Sequence, residues 1–289
     1  MSIVHIGYHK TATTFLQNVV FPTIKGVNYV DYQNCAEQFK DLYSSNTLWF
    51  NSRVKEQFKI QANGLYSLEE LVGSMGTGTY NYEIAQRLKD VGFKKVILTI
   101  RRQDKMVESI YRQHIQIGGI LKPYSFITEP NFFRWSYLDY YALIERYAQL
   151  FGTENIHLIL QEELKENQEE VLERLRSFVG AISPIELQQT KKSKNVSLSF
   201  WSIKLLRIIN HFTYNYYKKS NLLSNKITTR RFRSLFESLI DPYLFSKLLP
   251  SKNFYTDAFK KDVKKDFLTS NTALNKKYKL GLDKYGYLD

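Results

Sequence analysis

The chain has 289 residues, 43% hydrophobic and 24% charged, a balance that excludes intrinsic disorder and fibrous architecture and leaves room for one large α/β domain or two small ones. Lys and Arg outnumber Asp and Glu by 41 to 28, and the resulting net charge of +13 favours an anionic partner without bearing on the fold. One cysteine, Cys35, excludes an intrachain disulfide and a multi-cysteine zinc site, and the five histidines show no HxH or HxxxH spacing, so no metal is expected.

The amino terminus, MSIVHIGYHK, lacks the basic head, apolar stretch and small-residue cleavage site of an export signal, so a cytoplasmic location is expected. The most apolar window, residues 198–212, is interrupted by Lys204, Arg207 and His211 and is too polar to span a bilayer. Along the chain, β-branched or apolar runs at residues 3–6, 27–30, 64–67, 95–100 and 155–160 predict strands. Apolar spacings of three and four predict helices over 13–21, 82–91, 105–117, 138–150 and 164–179. Such alternation is the signature of a central parallel sheet covered on both faces, a three-layer α/β/α core, because a crossover between parallel strands needs a dozen or more residues. The expected organisation is a single domain over 1–289, with the α/β core in 1–190 and a helical, aromatic-rich carboxyl-terminal cap in 191–289.

The sharpest local pattern is IVHIGYHKTATTFLQ, an apolar strand, Gly7, a turn holding Lys10, three threonines and an apolar-periodic helix. A strand that turns tightly into a helix aims unpaired backbone N–H groups and the positive helix end at one place, where an anion is favoured. Lys10 adds a full charge, Thr11, Thr13 and Thr14 offer hydroxyl donors, Gly7 permits the turn, and small Ala12 allows close backbone approach. The pattern is not GxxxxGK[ST], which disfavours the usual nucleotide triphosphatases. Downstream, KKVILTIRRQDKMVESIYRQH repeats the arrangement, with Arg101 at the end of a strong strand and Ser109 on the helix that follows, placed to grip a second phosphate.

Together the two segments resemble the sulfotransferases that use 3′-phosphoadenosine 5′-phosphosulfate (PAPS), above all the bacterial and carbohydrate-directed branches. The first family motif, a strand followed by K-x-G-T-T and a helix, is matched by Lys10, Thr11, Ala12, Thr13 and Thr14, with Ala12 in place of glycine. The second, a strand ending in Arg with Ser eight residues on, is matched by Arg101 and Ser109, with Tyr111 following and Gln103 in place of the usual proline. Weaker echoes are Ser67 and Glu69 in LYSLEELVGS, and Glu162, Glu163, Leu164, Phe178 and Gly180 around the fifth predicted strand.

The resemblance implies a P-loop-like fold and transfer of a sulfuryl group from PAPS to a hydroxyl or amine of a carbohydrate or glycolipid acceptor, leaving adenosine 3′,5′-bisphosphate. It assigns Lys10 to the departing charge and Gly7, His9, Thr11, Ala12, Thr13 and Thr14 to the 5′-phosphate side. Arg101 and Ser109 fall to the 3′-phosphate, and a late basic loop carrying Lys194 and Asn195 closes over the nucleotide. Glu69 is the first candidate for the base that deprotonates the acceptor, with His114 and His9 as alternatives. Competing readings are a phosphotransferase that directs a metal with Glu162, and a basic nucleic-acid or anionic-surface binder, although no nucleic-acid motif occurs and no nucleic-acid partner is expected. Residues 198–217 could also rest peripherally on a membrane near a lipid-linked acceptor.

Overall fold

The computed structural model describes residues 2–44, 50, 55–187, 198–213 and 228–288. Among these residues five strands, β1 (Ile3–His5), β2 (Asn28–Val30), β3 (Gly64–Ser67), β4 (Lys95–Ile100) and β5 (Ile156–Leu160), form one sheet in the order β2-β3-β1-β4-β5. Every pairing is parallel, with His5 opposite Ser67 on one side and Ile97 on the other. The five expected strands are all present, to within one residue at their ends. The order places a topological switch between β1 and β4, since the chain leaves β1 toward β2 and leaves β4 toward β5. In open parallel sheets the crevice at the carboxyl ends of such a strand pair is where ligands bind.

One face of the sheet buries Ile3, Leu65, Ile97 and Ile159 against Leu16, Val20 and Phe21 of the first helical segment and Val171, Leu175 and Val179 of helix Gln168–Val179. Helices Asn81–Asp90 and Tyr140–Phe151 pack against each other, and the second also packs on β4 and β5. The central strands are apolar on both faces because both are covered, as the near-continuous run KVILTI required.

Three segments depart from the periodicity. The helix expected over 13–21 is a short α-turn, Thr13–Phe15, followed by a π-helical turn, Leu16–Val20, and a 3₁₀ turn, Phe21–Thr23, ending at Pro22 and Ile24. The helix expected over 164–179 starts earlier and is broken, into Gln161–Glu166 and Gln168–Val179, at Asn167, whose side-chain amide donates to the Tyr285 hydroxyl at 3.2 Å. Helices Tyr32–Gln38 and Lys40–Ser44 were not expected; the first is N-capped by Asp31, which accepts from the amides of Gln33 and Asn34 at 3.0 and 3.1 Å.

The chain divides into two compact units, Met1–Gln103 with Arg134–Thr190 and Lys264–Asp289, and Asp104–Phe133 with Lys191–Val263. The second unit thus takes Asp104–Phe133 from between two stretches of the sheet unit, and the sheet unit regains Lys264–Asp289. That return is anchored in the sheet unit. Buried Gln103 and Asn271 exchange amide hydrogen bonds at 2.8 and 3.2 Å, and Asn271 also donates to the Tyr287 carbonyl at 3.1 Å. In the second unit, helix Phe200–Ile209 is capped by Ser199, and its Ser202 donates to the buried Asp241 carboxylate. No described helix is long and apolar enough to cross a membrane.

Burial holds the imidazoles of His5, His9, His114 and His157 well below their usual value, at about 3 for His5 and about 4 for the others. Lys10 adds to the effect at His9, and Arg174 and Lys95 at His157. The unfolded chain therefore binds more protons than the folded one below the ordinary histidine value of about 6.5, and stability present above it is withdrawn as the pH falls toward 4. Each group contributes up to about 1.4 kcal/mol per pH unit across that window. Denaturant unfolding should show the free energy dropping by at least about 2 kcal/mol from pH 7 to pH 5; a flat profile over that interval would contradict the buried neutral histidines.

Candidate functional site

The loop that leaves β1 lies along the end of β4, with the amides of Ile6 and Tyr8 donating to the carbonyls of Ile97 and Thr99 at 2.9 and 3.0 Å. The path is as tight as the sequence suggested. A Cβ on Gly7 would collide with the Thr99 hydroxyl and stand 2.7 Å from both His5 Nε2 and Thr13 Cγ2. Tyr8, fully buried, meets the rings of Tyr137 and Tyr140 edge-on at 5.0 and 4.8 Å and pins the underside of the loop. Beyond it, Lys10 and Ala12 both adopt left-handed backbone, φ 68° and 67°. Ala12 is the N-cap of the first helix and occupies a true left-handed position although it carries a Cβ.

Four of the charged or hydroxyl residues picked out in the sequence meet on this loop. The Glu69 carboxylate, from the turn after β3, accepts the Thr13 hydroxyl through Oε1. Burial raises its pKa, against the Thr13 hydrogen bond and the nearby Lys10 charge, which lower it, while Glu70 adds to the rise. Arg101, directly after β4, donates from Nη1 to the Lys10 carbonyl at 3.3 Å, and its own carbonyl accepts from the Tyr140 hydroxyl at 2.6 Å. Lys10, Glu69 and Arg101 thus follow the tips of three adjacent strands, β1, β3 and β4.

His9, half-buried, has its Nδ1 3.3 Å from the Tyr137 hydroxyl. Burial and the nearby Glu69 raise the Tyr137 pKa, while backbone hydrogen bonds from His9 and Gly76 oppose the rise. Tyr137 thus belongs to the site, yet nothing in FRWSYLDYY singles it out, because its role comes from reaching a loop far away in the chain.

The hydroxyls divide differently from the sequence expectation. Thr11 is buried and turned inward, donating to the Tyr8 carbonyl and lying 2.6 Å from Thr99 Oγ1, so its side chain fastens the loop and does not face a ligand. Thr13 is also buried, its proton committed to Glu69, whereas Thr14 is exposed on the first turn. In that turn the Phe15 amide already donates to the Ala12 carbonyl at 3.0 Å, which leaves the amides ahead of it to face an anion.

Ser109 sits half-buried on helix Gln103–Gln116. On the same helix His114 is buried at 3% exposure, packed against the rings of Phe126 and Phe132 at 4.8 and 4.9 Å, with Gly119 leaving room for its ring. Those surroundings are those of a core side chain. Lys194 and Asn195 lie outside the described residues. Glu162 accepts from the Arg102 amide at 3.2 Å and the Tyr287 hydroxyl at 2.8 Å, so both its oxygens serve the fold, against the metal-directing role in the competing reading. In the second unit, the segment expected at a membrane is described to Thr213; within it Leu205, Ile208 and Phe212 are exposed.

No family model matches the chain, and no curated protein matches it. Among solved structures, the sulfotransferase from Alicyclobacillus acidocaldarius is similar over 64% of this chain and 83% of its own, at 15% identity and a TM-score of 0.47. Mouse sulfotransferase SULT7A1 complexed with PAP is similar over 63% of this chain and 59% of its own, at 15% identity and 0.41. The sulfotransferase domain from the curacin biosynthetic pathway covers 64% of this chain and 75% of its own, at 15% identity and 0.39.

Two substitutions test the loop geometry. Gly7→Ala should destabilise the protein by at least about 2 kcal/mol, since strand, loop and helix atoms surround the site and none can withdraw alone. Ala12→Gly should stabilise it by roughly 0.5–1 kcal/mol, the relief of a left-handed alanine less the added chain entropy of glycine. Chemical denaturation of both variants reads the signs directly.

Proposed function

We propose that the protein is a PAPS-dependent sulfotransferase acting on a hydroxyl or amine of a carbohydrate or glycolipid acceptor. The observation that carries the reading is the gathering of Lys10, Arg101 and Glu69 at adjacent strand tips, two cations and a carboxylate of raised pKa beside the first helical turn. A doubly phosphorylated nucleotide suits such a donor set. The first-turn amides and Thr14 hold the 5′-phosphate, while Arg101, released from the Lys10 carbonyl, grips the 3′-phosphate. The basic surplus of the chain draws in both the donor and an acidic acceptor.

In the reaction, the acceptor oxygen bonds to sulfur as the bond from sulfur to the bridging phosphate oxygen breaks. Lys10 stabilises the negative charge that grows on that bridging oxygen more in the transition state than before it. Glu69 takes the acceptor's proton. Its raised pKa strengthens it as a base, and Thr13, bonded to Oε1, orients the carboxylate. His9, kept neutral by burial and by Lys10, lines the same side with Tyr137.

Calorimetric titration with adenosine 3′,5′-bisphosphate should give metal-independent binding that Arg101→Ala weakens by about tenfold or more, the scale of a charge-assisted hydrogen bond. Lys10→Ala should weaken it as well, and equal affinity for AMP would refute the assignment. Glu69→Gln should leave nucleotide affinity within about threefold while lowering kcat by roughly 10²–10⁴. It should also remove an acid limb of the pH–rate profile that lies above the ordinary glutamate value; a wild-type limb surviving in the variant would exclude Glu69 as the base.

A further inference from the structure

Under the loop lies a chain of buried polar side chains that no apolar core requires. His5, on β1, has its Nδ1 2.7 Å from Ser67 Oγ on β3 and its Nε2 3.4 Å from Thr99 Oγ1 on β4. Thr99 Oγ1 is in turn 2.6 Å from Thr11 Oγ1, and Ser67 Oγ is 3.1 Å from the side-chain amide nitrogen of Gln17, on the π-helical turn. His5, Ser67, Thr99 and Thr11 are all 0% exposed and Gln17 is 7% exposed. A valine at position 5 would fill the strand without this set of demands, so the polar chain has a purpose other than burial.

The protons can be placed one after another. The Tyr8 carbonyl can only accept, so Thr11 gives it its single hydroxyl proton. Thr11 Oγ1 can then only accept from Thr99, which commits the Thr99 proton. Thr99 must therefore accept from His5, and Nε2 is the nitrogen that bears the imidazole proton. A neutral imidazole has one proton, so Nδ1 accepts from Ser67, whose oxygen accepts from Gln17. The direction is the same throughout, from the first helical segment, through the side chains of three adjacent strands, to the loop carbonyl two residues before Lys10.

We propose that His5 is the positioning residue of the anion loop: as a neutral imidazole protonated on Nε2, it relays one directed hydrogen-bond chain from Gln17 to the Tyr8 carbonyl and so fixes the loop that presents Lys10. Its effect on loop geometry is independent of the sulfotransferase reading; its effect on nucleotide affinity rests on that reading. Gly7 fits the same design, since a side chain there would enter the space between His5 Nε2 and Thr99.

The test is long-range ¹H–¹⁵N correlation on the ¹⁵N-histidine-labelled full chain at pH 7, with hydrogen exchange of the amides of residues 8–12 and titration with adenosine 3′,5′-bisphosphate alongside. The expected result is the Nε2–H tautomer at His5 in the wild type. Thr99→Val, equal in shape and lacking the hydroxyl, should accelerate loop exchange at least tenfold and weaken nucleotide binding about tenfold. Thr99→Ser, which keeps the relay, should restore both to within about threefold. An Nδ1–H tautomer or an imidazolium at His5 overturns the proposal, a measurement on the wild type that does not depend on any variant folding. Unchanged loop exchange in a folded Thr99→Val protein overturns it as well. Absence of nucleotide binding by the wild type would instead sink the sulfotransferase reading, and tautomer and exchange would still decide the role of His5.

Discussion

Between His5 and Thr13 the chain must leave the sheet, turn, and begin a helix with its amides facing outward, and that short passage constrains everything near it. The underside is closed by hydrogen bonds from Ile6 and Tyr8 to β4, by the Tyr8 ring between Tyr137 and Tyr140, and by the inward hydroxyl of Thr11. With the underside occupied, the remaining backbone takes left-handed angles at Lys10 and Ala12, a cost of roughly 1–2 kcal/mol per residue with a side chain that the surrounding contacts must offset. The outer face is what remains for an anion.

Electrostatics follow from the same geometry. Lys10 lowers the pKa of both its neighbours, Glu69 and His9, and at each of them burial is the larger influence, raising the carboxyl and lowering the imidazole. The outcome is a carboxylate with more basic character beside an imidazole without charge, two groups driven apart in protonation by a common environment. Arg101 contributes a second cation from the neighbouring strand and donates to the Lys10 carbonyl.

The support extends to the end of the chain. Gln103 is the residue through which helix Asp257–Tyr278 is tied down, by paired amides with Asn271. Two residues earlier stands Arg101, and between them Arg102 fixes Glu162 by its amide and reaches the Tyr285 carbonyl at 3.4 Å. The glutamine at this position is thus a specific fastening, visible only once residues 168 positions apart are side by side.

The amino-acid sequence determined the sheet, its parallel sense and the sites of both cationic turns, because these depend on local quantities: apolar run length, helical spacing and a glycine or lysine at a strand end. It also marked Glu69 as a candidate, since a carboxylate just past a strand lies at the sheet's carboxyl edge whatever the rest of the chain does. Tertiary structure alone decided which hydroxyl faces outward, for Thr11, Thr13 and Thr14 look alike in TATT and differ only in what lies behind them, Tyr8 and Thr99 for the first, Glu69 for the second and solvent for the third. It decided likewise that His114 packs among Phe126 and Phe132 while His5 meets Ser67 and Thr99, and that Tyr137 reaches His9. Hydrogen-bond partners distant in the chain leave no periodic trace in it, and a side chain's chemistry is set by the atoms it meets.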